Sequence, residues 1–339
     1  MRRLLRALTG GAAASLTRGA AATALVLAAA GCGGSAGDTA GGSGGDGGSG
    51  GSGAISVATA RGPVTLDAPA TRVVSLEWTY TENLLALGVN PIGHADPDGY
   101  ATWVSAPEAK LPEGVADVGT RQEPSLEKIR ALKPDLIVSD ESRLTANYDQ
   151  LADIAPVLAF DPLADPALRT MKANFTELAK AVGKQDQAPA VLQKIDTAAA
   201  DLESRLEKAD KAGLEYVVAQ AFTANDAPQI RMHTDKALVA QVLDLAGLKN
   251  GWTGKPDDWG MTTVGVEGVT QVPDDATFLY VALDTDNPFK EQLADNPVWT
   301  GAAFVQDDRA IALDPGTWFY GGVLSSVHIL TMTGKALGV

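Results

Sequence analysis

From Ala54 onward, apolar and polar positions alternate between two periods. The run "TRVVSL" (71–76) is apolar and rich in β-branched residues, which predicts a buried strand. "YTENLLALG" follows, with Thr81 as a candidate N-cap, an apolar face at Leu84, Leu85 and Leu87, and Gly88 as a stop. "NPIGH" begins the next short strand. "ADVG" (116–119), "SLEKIRAL" and "PDLIVSD" then repeat the strand–helix–strand rhythm, and "IAPVLAF" (154–160) is a further strand after the amphipathic "YDQLADI". Such alternation predicts an α/β lobe with a mostly parallel sheet. Residues 165–210 are almost all helix formers and predict two helices broken near Gly183. Strand and helix then alternate again: 214–222, a helix over 235–247 ending at Gly247, strands at 276–283 and 308–314, and a last helix from about Gly322 to Ala336.

The two halves echo each other. "PSLEKIRALKPDLIVSD" has its counterpart in "VGVEGVTQVPDDATFLYVAL": a glutamate, a short helix, a proline, then an apolar strand. The expected architecture is therefore two α/β lobes with mostly parallel sheets (54–164 and 185–339) joined by one long helix over 165–184. The alternative is one continuous sheet with a helical insertion.

That architecture has a chemical consequence. Parallel strands joined by helices deliver their strand-to-helix loops to the same carboxyl edge of the sheet. The loops "EWTYTEN", "TRQEPS" and "DESRL" belong to this class, so Glu77, Trp78, Tyr80, Arg121, Glu141 and Arg143 are expected along one rim. Arg121 and Arg143 present planar forks suited to carboxylate-like oxygens, and Trp78 and Tyr80 present flat apolar walls. The second lobe offers a matching set. Arg231 lies in "PQIRMHT", Trp252 and Trp259 in "GWTGKPDDWGM", and Trp318 and Tyr320 in "DPGTWFYGG". Taken singly, each arginine is also explained as a surface residue, Arg121 paired with Glu123 and Arg143 with Glu141. Each loop tryptophan is also explained as a lid over its own core.

The chain before Ala54 changes the picture of where this domain works. Residues 1–31 begin with Arg2, Arg3, Arg6 and Arg18 and no acid, then run through Ala, Leu and Val to small residues. This reads as a secretory signal peptide; the apolar run from Ala20 to Ala30 is too short for an ordinary membrane span. Cys32, the sole cysteine, stands directly behind "LAAAG" and resembles the lipidated cysteine of a bacterial lipobox, although Ala29 holds the usual leucine position. Residues 33–53 contain twelve glycines in 21 positions, so 32–53 reads as a lipid-anchored flexible tether. The domain is then expected at the extracytoplasmic face of the cell membrane. Removing residues 1–31 moves the formal charge from −15 to −19, which argues against a nucleic-acid partner. With one cysteine there is no internal disulfide.

Catalytic and metal-binding classes find little support. There is no H-E-x-x-H and no P-loop, and the G-x-S-x-G match "GGSGG" lies in the glycine-rich stretch with no strand before it. The histidines His94, His233 and His328 fall in unrelated segments, which does not favour capture of a bare transition metal.

"RVVSLEWTYTENLLALGVNPIG", "VGTRQEPSLEKIRALKPDLIVSDESR" and "LDPGTWFYGG" resemble the iron–siderophore substrate-binding proteins of ABC importers, closest in flavour to the ferric-dicitrate and ferric-hydroxamate binders. The similarity covers about residues 55–337 and is tighter in the first lobe. It implies a periplasmic-binding-protein-like fold with limited hinge motion, a monomer that is not an enzyme, and a ligand held between the lobes. That ligand is a ferric siderophore whose iron arrives already chelated, so no cofactor and no protein-borne metal site are expected. The ligand-binding residues it points to are Trp78, Tyr80, Arg121, Arg143, Arg231, Trp259, Trp318 and Tyr320. It also implies docking on a membrane permease through one acid per lobe, Glu127 and Glu267, which otherwise read as ordinary first-turn glutamates. Several members carry a histidine after the arginine matching Arg143; this chain has Leu144. Proteins for other large chelates, cobalamin or haem, share the architecture and remain the alternative.

Overall fold

The structure, a computed structural model, describes residues 53–339; the expected signal peptide, Cys32 and nearly all of the tether lie outside the described residues. A short antiparallel hairpin, β1 (Ile55–Val57) and β2 (Val64–Leu66), opens the domain. The first lobe then follows as β3 (Val73–Ser75), α1 (Trp78–Ala86), β4 (Gly93–His94), α2 (Pro97–Trp103), β5 (Ala116–Asp117), α3 (Leu126–Leu132), β6 (Leu136–Asp140), α4 (Tyr148–Ala152) and β7 (Val157–Phe160). Its five strands are all parallel in the order β5-β4-β3-β6-β7. β6 is buried along its whole length, as expected of a central strand covered on both faces.

Local chemistry sets the element ends. The side chain of Ser125 caps α3, and the helix stops at Lys133 in the left-handed region just before Pro134. α1 starts earlier than the pattern suggests. Its cap is Glu77, whose carboxylate accepts from the Trp78 backbone N–H at 2.9 Å, and Thr81 lies inside the helix with its hydroxyl 2.7 Å from His94 Nδ1.

Two helices carry the chain onward: α5 (Ala167–Ala181) and α6 (Ala188–Lys208). Gly183, at a φ of +67°, makes the break between them. α5 buries Met171, Phe175, Leu178 and Ala179 along one stripe. It packs on α1 and β1 of the first lobe and on α6 and α7 (Leu238–Asp244) of the second, so it is the spanning element. At about 1.5 Å per residue its 15 residues reach roughly 22 Å, less than the 165–184 segment implies, because Pro166 caps it and Gly183 ends the turn that follows it.

The second sheet departs from the expected pattern on one edge. β8 (Glu215–Ala224) turns at Asn225 and Asp226, both left-handed at φ 50° and 58°, and returns antiparallel as β9 (Ala227–His233). Paired left-handed residues are the signature of a hairpin turn matched to strand twist. β10 (Lys249–Asn250) and β11 (Met261–Val264) follow, then β12 (Thr277–Val281), the short helices α8 (Pro297–Thr300) and α9 (Ala303–Gln306), β13 (Ala310–Ala312) and α10 (Val323–Ala336). The parallel strands run β10-β8-β12-β13, the same order as β4-β3-β6-β7 in the first lobe, with β9 added antiparallel to β8 and β11 antiparallel to β9 at the edge. The internal echo is therefore real at the level of topology. The single-sheet alternative fails, since the strands divide between two main sheets.

A continuous apolar core runs from Val73, Leu136 and Phe160 through Phe175, Leu202 and Ile329 to Val218, Leu279 and Phe319. It joins the inner faces of both sheets through α5, α6 and α10. The outer face of the second sheet carries its own aromatic core, in which Phe278, Phe289, Trp299 and Phe304 stack at 4.3–5.7 Å between ring centroids.

Candidate ligand-binding cleft

The loops after β3, β5 and β6 leave the carboxyl edge of one parallel sheet, and their side chains meet. Glu77 is 3% exposed, and its two oxygens are divided between the two arginines of interest. Arg121 Nη1 donates to Oε1 at 2.9 Å, and Arg143 Nε donates to Oε2. Arg121 and Arg143, 22 positions apart, are thus joined by one buried carboxylate. Neither surface pairing foreseen from sequence forms: Glu141 is taken in a two-pronged pair by Arg61 at 2.6 and 2.8 Å.

Trp78 takes a different place from the one expected. It is 2% exposed and lies behind Arg121, whose guanidinium carbon stands 3.5 Å from the indole centroid. Being the first residue of α1, it points under the loops instead of over the rim. It positions an arginine through its π face and is not a wall of the main cleft. Tyr80 is similarly buried at 1%, and its hydroxyl donates to Asp140 Oδ1 at 2.7 Å. Burial and the nearby Glu77 charge push the Asp140 carboxyl up to about 8, against the pull of Arg143 and Arg121. Leu144 is also core, 1% exposed among the side chains beneath the sheet. A histidine there would not face the cleft without rearrangement.

The second lobe closes the opposite side. Arg231 is a strand residue of β9 and not a loop residue, because the chain folds back as a hairpin. It pairs in register with Gln220 on β8, reaches its side-chain oxygen at 3.4 Å, and lies over the Phe222 ring at 4.5 Å. The hydroxyl of Tyr320 donates to the same Gln220 oxygen at 3.0 Å. Trp318 and Tyr320 stand 4.9 Å apart between ring centroids, Trp259 meets Tyr320 edge-on at 6.0 Å, and Trp78 meets Trp318 at 5.0 Å. Trp252 instead is core, 3% exposed, with its indole N–H donating to Thr262 at 3.2 Å.

Between these walls lies a cleft of about 690 Å³, lined by Glu77, Arg121, Arg143, Arg231, Trp259, Trp318 and Tyr320 among others. Of the eight residues expected to contact ligand, six line this cleft and two, Trp78 and Tyr80, stand behind it. Gln220, Met261 and Asp140 escaped the sequence reading. Asp140 ends a strand that reads as apolar, Met261 is an ordinary strand residue until the sheet brings it to the cleft, and buried Gln220 stands behind the lining, where it holds Arg231 and Tyr320.

One element ties the two sides together. Thr79 of α1 donates from its hydroxyl to the Tyr320 carbonyl at 3.0 Å. Glu82, fully buried, accepts from the Gly322 N–H and, at 2.8 Å each, from the Ser325 N–H and hydroxyl; Asn83 accepts from the Val323 N–H at 3.1 Å. A carboxylate and an amide of the first lobe therefore cap the first turn of α10 in the second. Burial nevertheless dominates the Glu82 carboxyl and pushes it up to about 7.

Residues 73–317 match the periplasmic binding protein family. The chain belongs to that family. It is a substrate-binding protein of the ABC-importer type, not an enzyme. The iron(3+)-hydroxamate-binding protein FhuD of Escherichia coli is 31% identical over 274 residues, 79% of this chain and 87% of that one. The Fe(3+) dicitrate-binding periplasmic protein FecB of the same organism is 29% identical over 267 residues, 78% and 84% of the two chains. Among solved structures, the Fe3+–Desferal-bound siderophore-binding protein FhuD of Vibrio cholerae superposes with a TM-score of 0.70 at 28% identity, covering 79% of this chain and 97% of that one. The resemblance drawn from the sequence motifs is thereby confirmed.

Proposed function

We propose that this chain is an extracytoplasmic, lipid-anchored receptor that binds an iron(III)–siderophore complex between its lobes and hands it to an ABC permease for iron uptake. The observation that carries the reading is the pair Arg121–Arg143 joined on buried Glu77, facing Arg231 across a cleft walled by Trp259, Trp318 and Tyr320. Arg121 and Arg143 share buried Glu77, Arg121 also lies 3.6 Å from Asp96, and Arg231 has no acid within ion-pair distance among the described residues, a balance that favours a ligand presenting negatively polarised oxygens, as an iron chelate does. The iron is cargo and keeps its own ligands, so the protein supplies recognition alone.

The ligand-contact set in this reading is Arg121, Arg143, Arg231, Trp259, Trp318 and Tyr320, with Trp78 and Tyr80 as supports. Glu127 and Glu267, both exposed in the first turns of their helical segments, are the docking acids for the permease. Cys32 is the lipidated residue that keeps a monomeric domain at the membrane.

The experiment is a titration of residues 54–339 with ferric hydroxamates, ferric citrate, ferric catecholates, haem and cobalamin, followed by tryptophan fluorescence. Saturable sub-micromolar quenching by an iron chelate supports the reading. Tight binding of cobalamin or haem alone, or of free zinc ion, contradicts it.

A further inference from the structure

Beside the main cleft lies a second cavity of about 370 Å³, which the ligand contacts above leave unused. The two spaces share Thr79, Pro162, Asp257, Trp259 and Tyr320, so they adjoin along one seam between the lobes. Their chemistry differs sharply. The main cleft holds three arginines; the side cavity holds none. Its lining includes Tyr80, Met171, Ala237 and Phe319, each no more than 7% exposed and part of the inter-lobe core, with half-buried Leu163 and Leu238 beside them. Its charged residues, Lys236, Asp165, Asp257 and Asp258, are all exposed, with Lys236 within 3.8 Å of Asp165, and Asn83 and His233 add buried polar groups to an otherwise apolar floor.

We infer that this side cavity is a subsite for an apolar arm of the bound chelate, so that the receptor takes siderophores carrying an alkyl or acyl appendage. The inference rests on the reading of the main cleft as the chelate site. With the iron-binding head between the arginines, an appendage passing Thr79 and Pro162 enters a space lined by core side chains, where it loses contact with water and gains dispersion contacts. The volume corresponds to roughly a dozen water-sized groups at about 30 Å³ each, enough for a short chain and too small for a second chelate head. The charges of this cavity, Asp165, Asp257, Asp258 and Lys236, all stand on exposed residues at its rim, so a charged arm would be held there and only an apolar one gains from reaching the core side chains of the floor.

The test uses residues 54–339 and two ferric heads, a linear trihydroxamate and a citrate type, each with and without a short n-alkyl arm, read by tryptophan fluorescence. Each methylene buried is expected to tighten binding by up to roughly fourfold, so an arm of about four carbons gives a gain of at least tenfold. Ala167→Phe, which fills the cavity from α5 without touching the arginines, is expected to abolish that gain and leave the armless chelates unchanged. Leu163→Trp serves as an independent filling variant if the helix variant folds poorly. Equal affinity of armed and armless chelates overturns the inference while leaving the main-cleft reading intact, as does a gain that survives both filling variants. Failure of all four chelates, and of a ferric catecholate beside them, to bind overturns the main-cleft reading and this inference with it.

Discussion

At the scale of single residues, the cleft is organised by acids as much as by its arginines. Glu77 is held by two guanidinium groups and is itself the cap of α1, so its removal strands two partly buried cations. Glu77→Ala is expected to destabilise the fold by about 3–5 kcal/mol, the range for breaking a buried ion pair, measured by denaturant unfolding. Asp140 gives a pH signature. Its pKa in the folded protein is raised to about 8, so the native state keeps a proton that the unfolded chain has released. Its contribution to stability is full below the ordinary carboxylate range and declines as pH rises toward 8. In the same window its ionisation adds negative charge beside Arg121 and Arg143. Affinity for an anionic ferric chelate is expected to fall as pH passes through about 8, and Asp140→Asn is expected to flatten that profile in titrations across the range.

At the scale of elements, α1 sets the spacing between the arginine side and the aromatic side. Its first turn presents Glu77 to the arginines, and Thr79, Glu82 and Asn83 hold the segment carrying Trp318 and Tyr320. Glu82→Ala leaves buried N–H groups of α10 unsatisfied, at a cost of about 1–3 kcal/mol for each. The expected result is a lower thermal midpoint together with faster amide exchange confined to the start of α10, whereas Glu82→Gln retains most of the protection. Much of this scale was legible in the sequence. Period and stop signals placed β3, α3, β6, β7, the Gly183 break and α10 within a few residues, since each combines an apolar run with glycine, proline or a capping side chain. The hairpin of β8 and β9 was not legible, because its turn is Asn-Asp without glycine and "APQIRMH" alternates weakly. That one turn puts Arg231 on a strand of the second sheet. The burial of Trp78 was hidden for another reason. A residue following a sheet edge can point over the rim or under it, and the choice depends on Glu77 serving as the cap.

At the scale of the whole molecule, the core passing through α5, α6 and α10 joins the inner faces of both sheets, which fits a receptor whose lobes move little. The parallel first sheet made the meeting of Arg121 and Arg143 legible, because its loops return to one edge; the acid between them came only with the side chains. If Glu127 and Glu267 are the docking acids, replacing both with lysine is expected to cut siderophore-dependent iron uptake by cells roughly tenfold or more while leaving chelate affinity unchanged, uptake and fluorescence titration being measured on the same variant. The central claim is that the arginines joined on Glu77 hold the ferric chelate. Its most direct test is the affinity of Arg143→Ala for the chelate that the wild-type domain binds, since Arg143 is the more exposed of the pair and its loss least disturbs the fold. Loss of one charge-assisted contact of about 1.5–3 kcal/mol predicts binding weakened roughly ten- to a hundredfold with a melting curve close to wild type. Wild-type affinity in a well-folded Arg143→Ala would contradict the account.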